Sequence, residues 1–260
     1  MSKIKAPLWG ECESVFSTVS LSKEEIKSYK MITDDLDFKA QNFTKEGDHP
    51  VIFMLNTQKI HIFFKWFTVR YHEMIPLLPY IKFKNDPEDT PYQCSPILYV
   101  DNLGIIIGAR ILWHLNKVWA RFVLNKPISK VNEGGKYTSL VYSKSLFSKK
   151  KAVQAEVTLI GSEGEIENFP NLVNLSKLFL TNALIYNFNS PPEYWVANYI
   201  VKMKSAQGAE STVETFGIKR FPNKKFKIPS IKEDVLGAFK LKFDWYLHKP
   251  TKVSSSGSKK

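Results

Sequence analysis

The stretch "YVDNLGIIIGARILWHLNKVWARF" (Tyr99–Phe122) is the most apolar part of the chain, yet Lys117 stands inside it between Asn116 and Val118. An ammonium group among Trp113, Leu115, Val118 and Trp119 is paired, reaches water along its stem, or is held neutral for chemistry. Following Asp101 and Asn102, apolar Ile106, Ala109, Ile111 and Trp113 flank Arg110. That spacing predicts a short helix over about 103–113, capped by Asp101 or Asn102. The helix delivers Lys117 to the start of a strand, "VWARFVL" (118–124). Burial without a carboxylate disfavours the charged amine, and a neutral amine is the nucleophile that attacks a carbonyl carbon to form a Schiff base.

Outward from this segment the chain reads as short extended runs. "VIFMLNTQKIHIFFKWFTVRYHE" (51–73), "SPILYV" (95–100), "YTSLVYS" (137–143), "AVQAEVTLIG" (152–161) and "WVANYIVKMKSA" (195–206) have strand composition. Gly, Pro, Asn and Ser clusters separate them. "NEGGK" (132–136) reads as a hairpin turn, since it lacks the flanking context of a phosphate loop. A second helix is expected in "NLVNLSKLFLTNALI" (171–185). No linker and no internal repeat appears, so the fold class is α+β. It is one antiparallel β-rich domain over 1–250, with a few short helices and a disordered basic tail from 251 to 260.

The totals fit that reading. The chain has 260 residues, 43% hydrophobic and 13% aromatic, which is globular composition. Cys12 and Cys94 give neither a disulfide framework nor a metal spacing, which points to a reducing compartment and a cytoplasmic location. The start, "MSKIKAPLWGECES", lacks the apolar core of a signal peptide, and no apolar run reaches the roughly 18–20 residues that cross a bilayer. No membrane partner, metal or cofactor is expected. The net charge of +12 lies in short clusters, "FSKKK" (147–151), "KRFPNKKFK" (219–227) and the tail. None matches a nucleic-acid-binding signature, so the charge reads as solvated surface.

The Tyr99–Lys117 segment resembles the signature of the acetoacetate decarboxylase family: a tyrosine, an Asp-Asn pair, a small apolar stretch, an arginine, a tryptophan and then the lysine. Tyr99, Asp101, Asn102, Arg110, Trp113 and Lys117 stand at the matching positions. "RYHEMIPLLPY" (70–80) looks like the family segment that carries the active-site glutamate, here Glu73. "FKIPSIKEDVLGAFKLKFDWYL" (226–247) is similar to the family's C-terminal ending. The likeness spans roughly Tyr71 to Leu247, and the N-terminal 45 or so residues diverge from it.

The resemblance implies a β-cone or barrel-like fold, a homo-oligomer, and lyase-type chemistry on a small-molecule carbonyl substrate such as a keto acid. Lys117 is the implied Schiff-base nucleophile. The protonated imine is the electron sink for decarboxylation, or for aldol and dehydration chemistry. Glu73 is the implied proton-transfer partner. Tyr71, Arg110, Trp113 and His114 are the expected substrate-binding residues, with Trp66 and Trp119 as further apolar walls. Asp101 reads as a helix cap. The chain departs from the family pattern where Val118 replaces a second lysine, Ala109 a glycine and Asn116 a proline. The N-terminal segment offers no clear arginine for a substrate carboxylate. A second acidic residue, expected on the strand before Glu73, is missing from "IHIFFKWF" (60–67). A non-catalytic relative that binds an apolar small molecule in the cone, and a basic interaction protein on the same scaffold, are the alternative readings.

Overall fold

Long runs that mix β-branched, aromatic and small residues make the chain a β-sheet protein. The computed structural model describes residues 8–62, 67–144, 149–169, 177–217, 220–231 and 236–257. Its elements are β1 (Leu8–Ser22), α1 (Lys23–Ser28), β2 (Leu36–Phe38), β3 (Asp48–Ile62), β4 (Phe67–Phe83), β5 (Tyr92–Cys94), β6 (Leu98–Val100) and α2 (Leu103–Trp113). There follow β7 (Lys117–Leu124), β8 (Lys136–Lys144), β9 (Lys149–Gly164), β10 (Asn182–Tyr186), β11 (Tyr194–Phe216), β12 (Asn223–Ile228), β13 (Ala238–Leu247) and β14 (Thr251–Val253).

The strands form one sheet in the order β10-β5-β4-β3-β1-β13-β11-β9-β8-β7-β6, and the further pairings β4–β6 and β10–β11 close it on itself twice. One ring runs through β6 to β9, the other through β5 and β10, and both contain β4, β3, β1, β13 and β11. Pairing is antiparallel except for β6–β7 and β5–β10. The shared strands therefore carry a core on each face. In β1, Val15 packs into one buried cluster and its neighbour Phe16 into the other, both fully buried. This is the closed, antiparallel β-rich architecture with few helices that the sequence led us to expect.

Local chemistry sets the two α-helices among the described residues. Ser22 and Glu25 make a reciprocal capping box at α1. At α2, Asn102 is the cap, its Oδ1 accepting the Ile105 N–H at 3.1 Å. Asp101 is not the cap. Its Oδ1 accepts the His72 N–H at 2.8 Å and its Oδ2 lies 2.7 Å from His72 Nδ1, tying the start of the helix to β4. His114 ends the helix in the left-handed conformation.

Two further expectations fail. Residues 170–176 lie outside the described set, but the later part of the anticipated second helix is strand β10. There Leu184 and Ile185 are buried on opposite faces, a need that a strand meets with period two. The tail expected to be disordered begins with β14, which pairs with β11 and buries Val253.

Candidate active site

Lys117 is the first residue of β7, and its main chain is held from two sides. Its N–H donates to the Leu115 carbonyl at 2.8 Å, and its own carbonyl accepts from Arg110 Nε at 2.7 Å. Parallel pairing sets Lys117 beside Leu98 of β6, and β6 in turn pairs with β4 at Glu73. Alternation along β4 turns Tyr71 and Glu73 to one face and His72 to the other. The side chain of Lys117 on β7 thus converges with those of Glu73 and Tyr71 on β4.

The lysine is 5% exposed and the glutamate 3%. Lys117 Nζ donates to Glu73 Oε1 at 2.6 Å and lies 5.2 Å from the centre of the Tyr71 ring. The expectation of an ammonium buried without a carboxylate is therefore corrected: Glu73 is its partner. The other carboxylate oxygen, Oε2, accepts from Gln58 Nε2 at 3.3 Å. Gln58 Oε1 in turn accepts from the Trp245 indole N–H at 2.7 Å, which fixes the orientation of the amide. The Trp245 ring lies over Gly10, where an added Cβ would stand 3.0 Å from it and 2.8 Å from the Lys59 carbonyl. The strand before Glu73 does supply a partner for its carboxylate, but as an amide, and further back than the segment searched for an acid.

Burial raises the Tyr71 phenol well above its ordinary pKa, and the Glu73 charge adds to the rise. Tyr199 is raised in the same sense, by burial first and then by Cys12 and Glu73. Both phenols keep their proton, so each remains a donor toward the site. The Cys12 thiol is also pushed up, by burial and then by Glu73, which leaves it no thiolate character with which to compete as a nucleophile.

Lys117, Glu73, Gln58, Tyr71, Tyr199 and Trp245 line a cavity of about 880 Å³; Cys12 does not. The inner face of α2, with Ile105, Ala109, Leu112 and Trp113, forms one wall, and Leu184, Tyr199 and Trp245 lie on others. Among the described residues its titratable lining is Glu73, Lys117, His61, Cys94 and the tyrosines, and no arginine lines it. Of the six residues expected in the site, Lys117, Glu73, Tyr71 and Trp113 line the cavity. Arg110 does not; it clamps the lysine backbone from outside. His114 does not either; it is exposed and stacks on Trp195 with ring centres 4.1 Å apart. Trp119 is half-buried outside the cavity, with Lys144 over its ring, and Trp66 lies outside the described residues. Val118 points to the opposite core, as a strand neighbour of Lys117 must. Gln58, Trp245 and Tyr199 escaped sequence reading, since only the folded register brings them to Glu73.

No protein-family model and no curated protein matches the sequence. Solved structures do. The enduracididine biosynthesis enzyme MppR complexed with pyruvate matches with a TM-score of 0.62 at 14% identity, over 98% of this chain and 93% of that one. An acetoacetate decarboxylase matches with a TM-score of 0.60 at 13% identity, over 96% and 90%. The acetoacetate decarboxylase of Legionella pneumophila matches with a TM-score of 0.57 at 11% identity, over 95% and 87%. The chain has the acetoacetate decarboxylase-like fold, and the solved structures it resembles are enzymes. No helix among the described residues is long and apolar enough to cross a membrane.

Proposed function

We propose that this protein is a Schiff-base lyase in which Lys117 adds to the carbonyl carbon of a small molecule and Glu73 moves the protons. The observation that carries the reading is the Lys117–Glu73 contact of 2.6 Å at the wall of a large apolar cavity. A proton passes from the ammonium to the carboxylate, and the amine adds to the carbonyl carbon. Glu73 returns the proton to the developing alkoxide and takes one from the new C–N nitrogen. Its carboxyl then protonates the hydroxyl, which leaves as water. The product is a protonated imine beside a carboxylate, so the site ends with the charges it began with. From a β-keto acid, carbon dioxide leaves as its bonding electrons enter the imine. From a substrate without that carboxylate, Glu73 removes the α-proton. Both routes give an enamine. The pyruvate bound to MppR is a carbonyl compound held by a protein of this fold.

The favoured substrate is a bulky carbonyl compound of low charge. Among the described residues, a carboxylate entering beside Glu73 finds no lining arginine and no second lysine, and an uncompensated buried charge costs several kcal/mol. The test is incubation with acetoacetate, pyruvate and neutral long-chain ketones or aldehydes, borohydride reduction, and peptide mapping by mass. We expect an adduct at Lys117, absent in Lys117→Arg, which keeps the ion pair and cannot form the imine. No adduct across the panel, or adducts at other lysines alone, would sink the reading. Efficient acetoacetate turnover, near about 10⁴ M⁻¹s⁻¹ or above, would overturn the substrate preference and leave the chemistry standing.

A second reading, a ligand-binding relative without turnover, draws on the closure of the ion pair. In that case apolar carbonyl compounds bind and exchange freely, and borohydride traps nothing.

A further inference from the structure

We propose that the outer face of α2, with the cationic strip of β7–β9 beside it, docks on an anionic bilayer surface, from which the cavity receives its apolar ligand. The proposal rests on the cavity and not on imine chemistry, so the two readings fail separately.

Four of the six exposed large hydrophobic side chains among the described residues lie on α2: Leu103, Ile107, Ile111 and Leu112, at 51, 58, 68 and 56% exposure. The first three are spaced by four and form one stripe along the helix. The helix is a single layer, since its inner side chains line the cavity and Leu112 serves both faces. Cations gather on the flank toward β7. Arg110 and Arg121 are exposed, Lys144 stands 4.3 Å over the Trp119 ring and Lys149 stands 4.0 Å over the Tyr142 ring. Trp119 belongs to the same packed cluster as Ile105 and Trp113 of α2, which joins stripe and strip. None of these cations forms an ion pair among the described residues. The carboxylates nearby are otherwise placed: Asp101 is held by His72, Glu156 lies further along β9 and accepts from Gln154, and on the far flank Glu193 neutralises Lys252.

An apolar stripe rimmed by lysine, arginine, tryptophan and tyrosine matches the layering of a bilayer interface, where acyl chains lie beneath anionic phosphates. A second copy of this chain docked with its two-fold axis across α2 would set the cationic strip against itself. A nucleic acid would leave the apolar stripe unused. A peripheral contact needs no membrane-crossing segment, so the lack of an apolar span in the sequence does not weigh against it.

The test is flotation of the full chain with vesicles of phosphatidylcholine, with and without phosphatidylserine. We expect binding to the serine-containing vesicles that weakens with salt. Ile107→Gln with Ile111→Gln should reduce it by about tenfold or more. Lys144→Gln and Lys149→Gln should each reduce it by about fivefold. Failure to float with either vesicle overturns the proposal, as does equal flotation with both, or wild-type flotation of the helix variant. A helix variant that lowers the particle mass in solution while vesicle binding stays unchanged overturns it in favour of a contact between copies.

Discussion

Lys117 and Lys240 are withdrawn from water to nearly the same extent, 5% and 3% exposed, but their surroundings differ. Lys240 Nζ sits between two carboxylates, 3.3 Å from Glu163 Oε2 and 3.7 Å from Glu13 Oε1. Lys242 joins them at 2.8 Å from Glu163 and 3.3 Å from Glu13, giving two cations and two anions in one network. Burial alone would raise Glu163, but hydrogen bonds from Lys242 and Ser205 and the Lys240 charge bring it down to about 2. Neither that lysine nor its carboxylates line the cavity beside Lys117. Among the described residues Lys117 has a single carboxylate partner, and it has open apolar space beside it. A buried, paired lysine is thus no sign of chemistry in itself. Room for a carbonyl compound next to the amine, and a partner able to carry its proton, separate the reactive candidate from the structural one.

Removing each ammonium tests that distinction where the expected effect is largest. Lys117→Met leaves the Glu73 charge buried and unpaired, which should cost about 3–5 kcal/mol of stability at neutral pH. Lys117→Met combined with Glu73→Leu should regain most of that loss, since an apolar pair of similar volume replaces the ions. Lys240→Met should cost less, about 1–2 kcal/mol, because Lys242 and partial solvation still serve its carboxylates. Denaturant unfolding of the three variants reads these values. Equal losses for the two single variants would erase the distinction.

How far the sequence disclosed this arrangement depends on how local each feature is. The helix over 103–113 and the lysine beyond it follow from Asn102, the apolar spacing and the family-like motif, all within one segment. β8 was legible because only one of its faces is buried, so Tyr137, Ser139 and Val141 alternate with more exposed neighbours. β1 was not, because both of its faces are covered and buried Ser14, Ser17 and Thr18 interrupt any apolar period. The Glu73 side of the site was legible only in part. Gln58 and Trp245 are 187 residues apart and meet through the order β3-β1-β13, which no single segment announces. The cations of the docking strip are likewise dispersed from Arg110 to Lys149 until the sheet gathers them.

His49 supplies the third case of the comparison, a buried basic group that has no carboxylate partner among the described residues and does not line the cavity beside Lys117. It is fully buried, and its ring Nε2 donates to the Pro79 carbonyl at 2.6 Å. Burial depresses its pKa from 6.5 to about 4, against the opposing effect of that hydrogen bond. The fold therefore favours the neutral ring, and the unfolded chain binds the proton more readily. The stabilisation is complete above pH 6.5 and is lost as the pH falls from there to about 4. Across that window it should amount to about 3 kcal/mol. His49→Gln keeps a donor for Pro79 and should flatten this part of the stability profile. A slope unchanged in the variant would assign the pH dependence to other groups.

The smallest effect concerns how Glu73 is aimed. The Trp245 N–H holds Gln58 Oε1, so the amide presents its NH₂ to Glu73 Oε2. Trp245→Phe keeps an aromatic ring at the cavity wall but frees the amide to turn its oxygen toward the carboxylate. A misdirected hydrogen bond to a charged group should slow imine formation at Lys117 by about tenfold, equivalent to roughly 1.4 kcal/mol. The counterpart at Lys240 is Ser205, whose hydroxyl donates to Glu163 at 2.6 Å. Ser205→Ala should leave imine formation unchanged, since that network does not line the cavity beside Lys117. A merely structural role for Trp245 would slow the reaction to the same degree whatever residue occupies position 58. If Trp245 acts through the amide, its effect should vanish in a Gln58→Leu background, where no oxygen remains to be oriented. Rates of borohydride-trapped adduct in the four combinations decide between these outcomes, and a persistent tenfold loss in the Gln58→Leu background would remove the tryptophan from the alignment of Glu73.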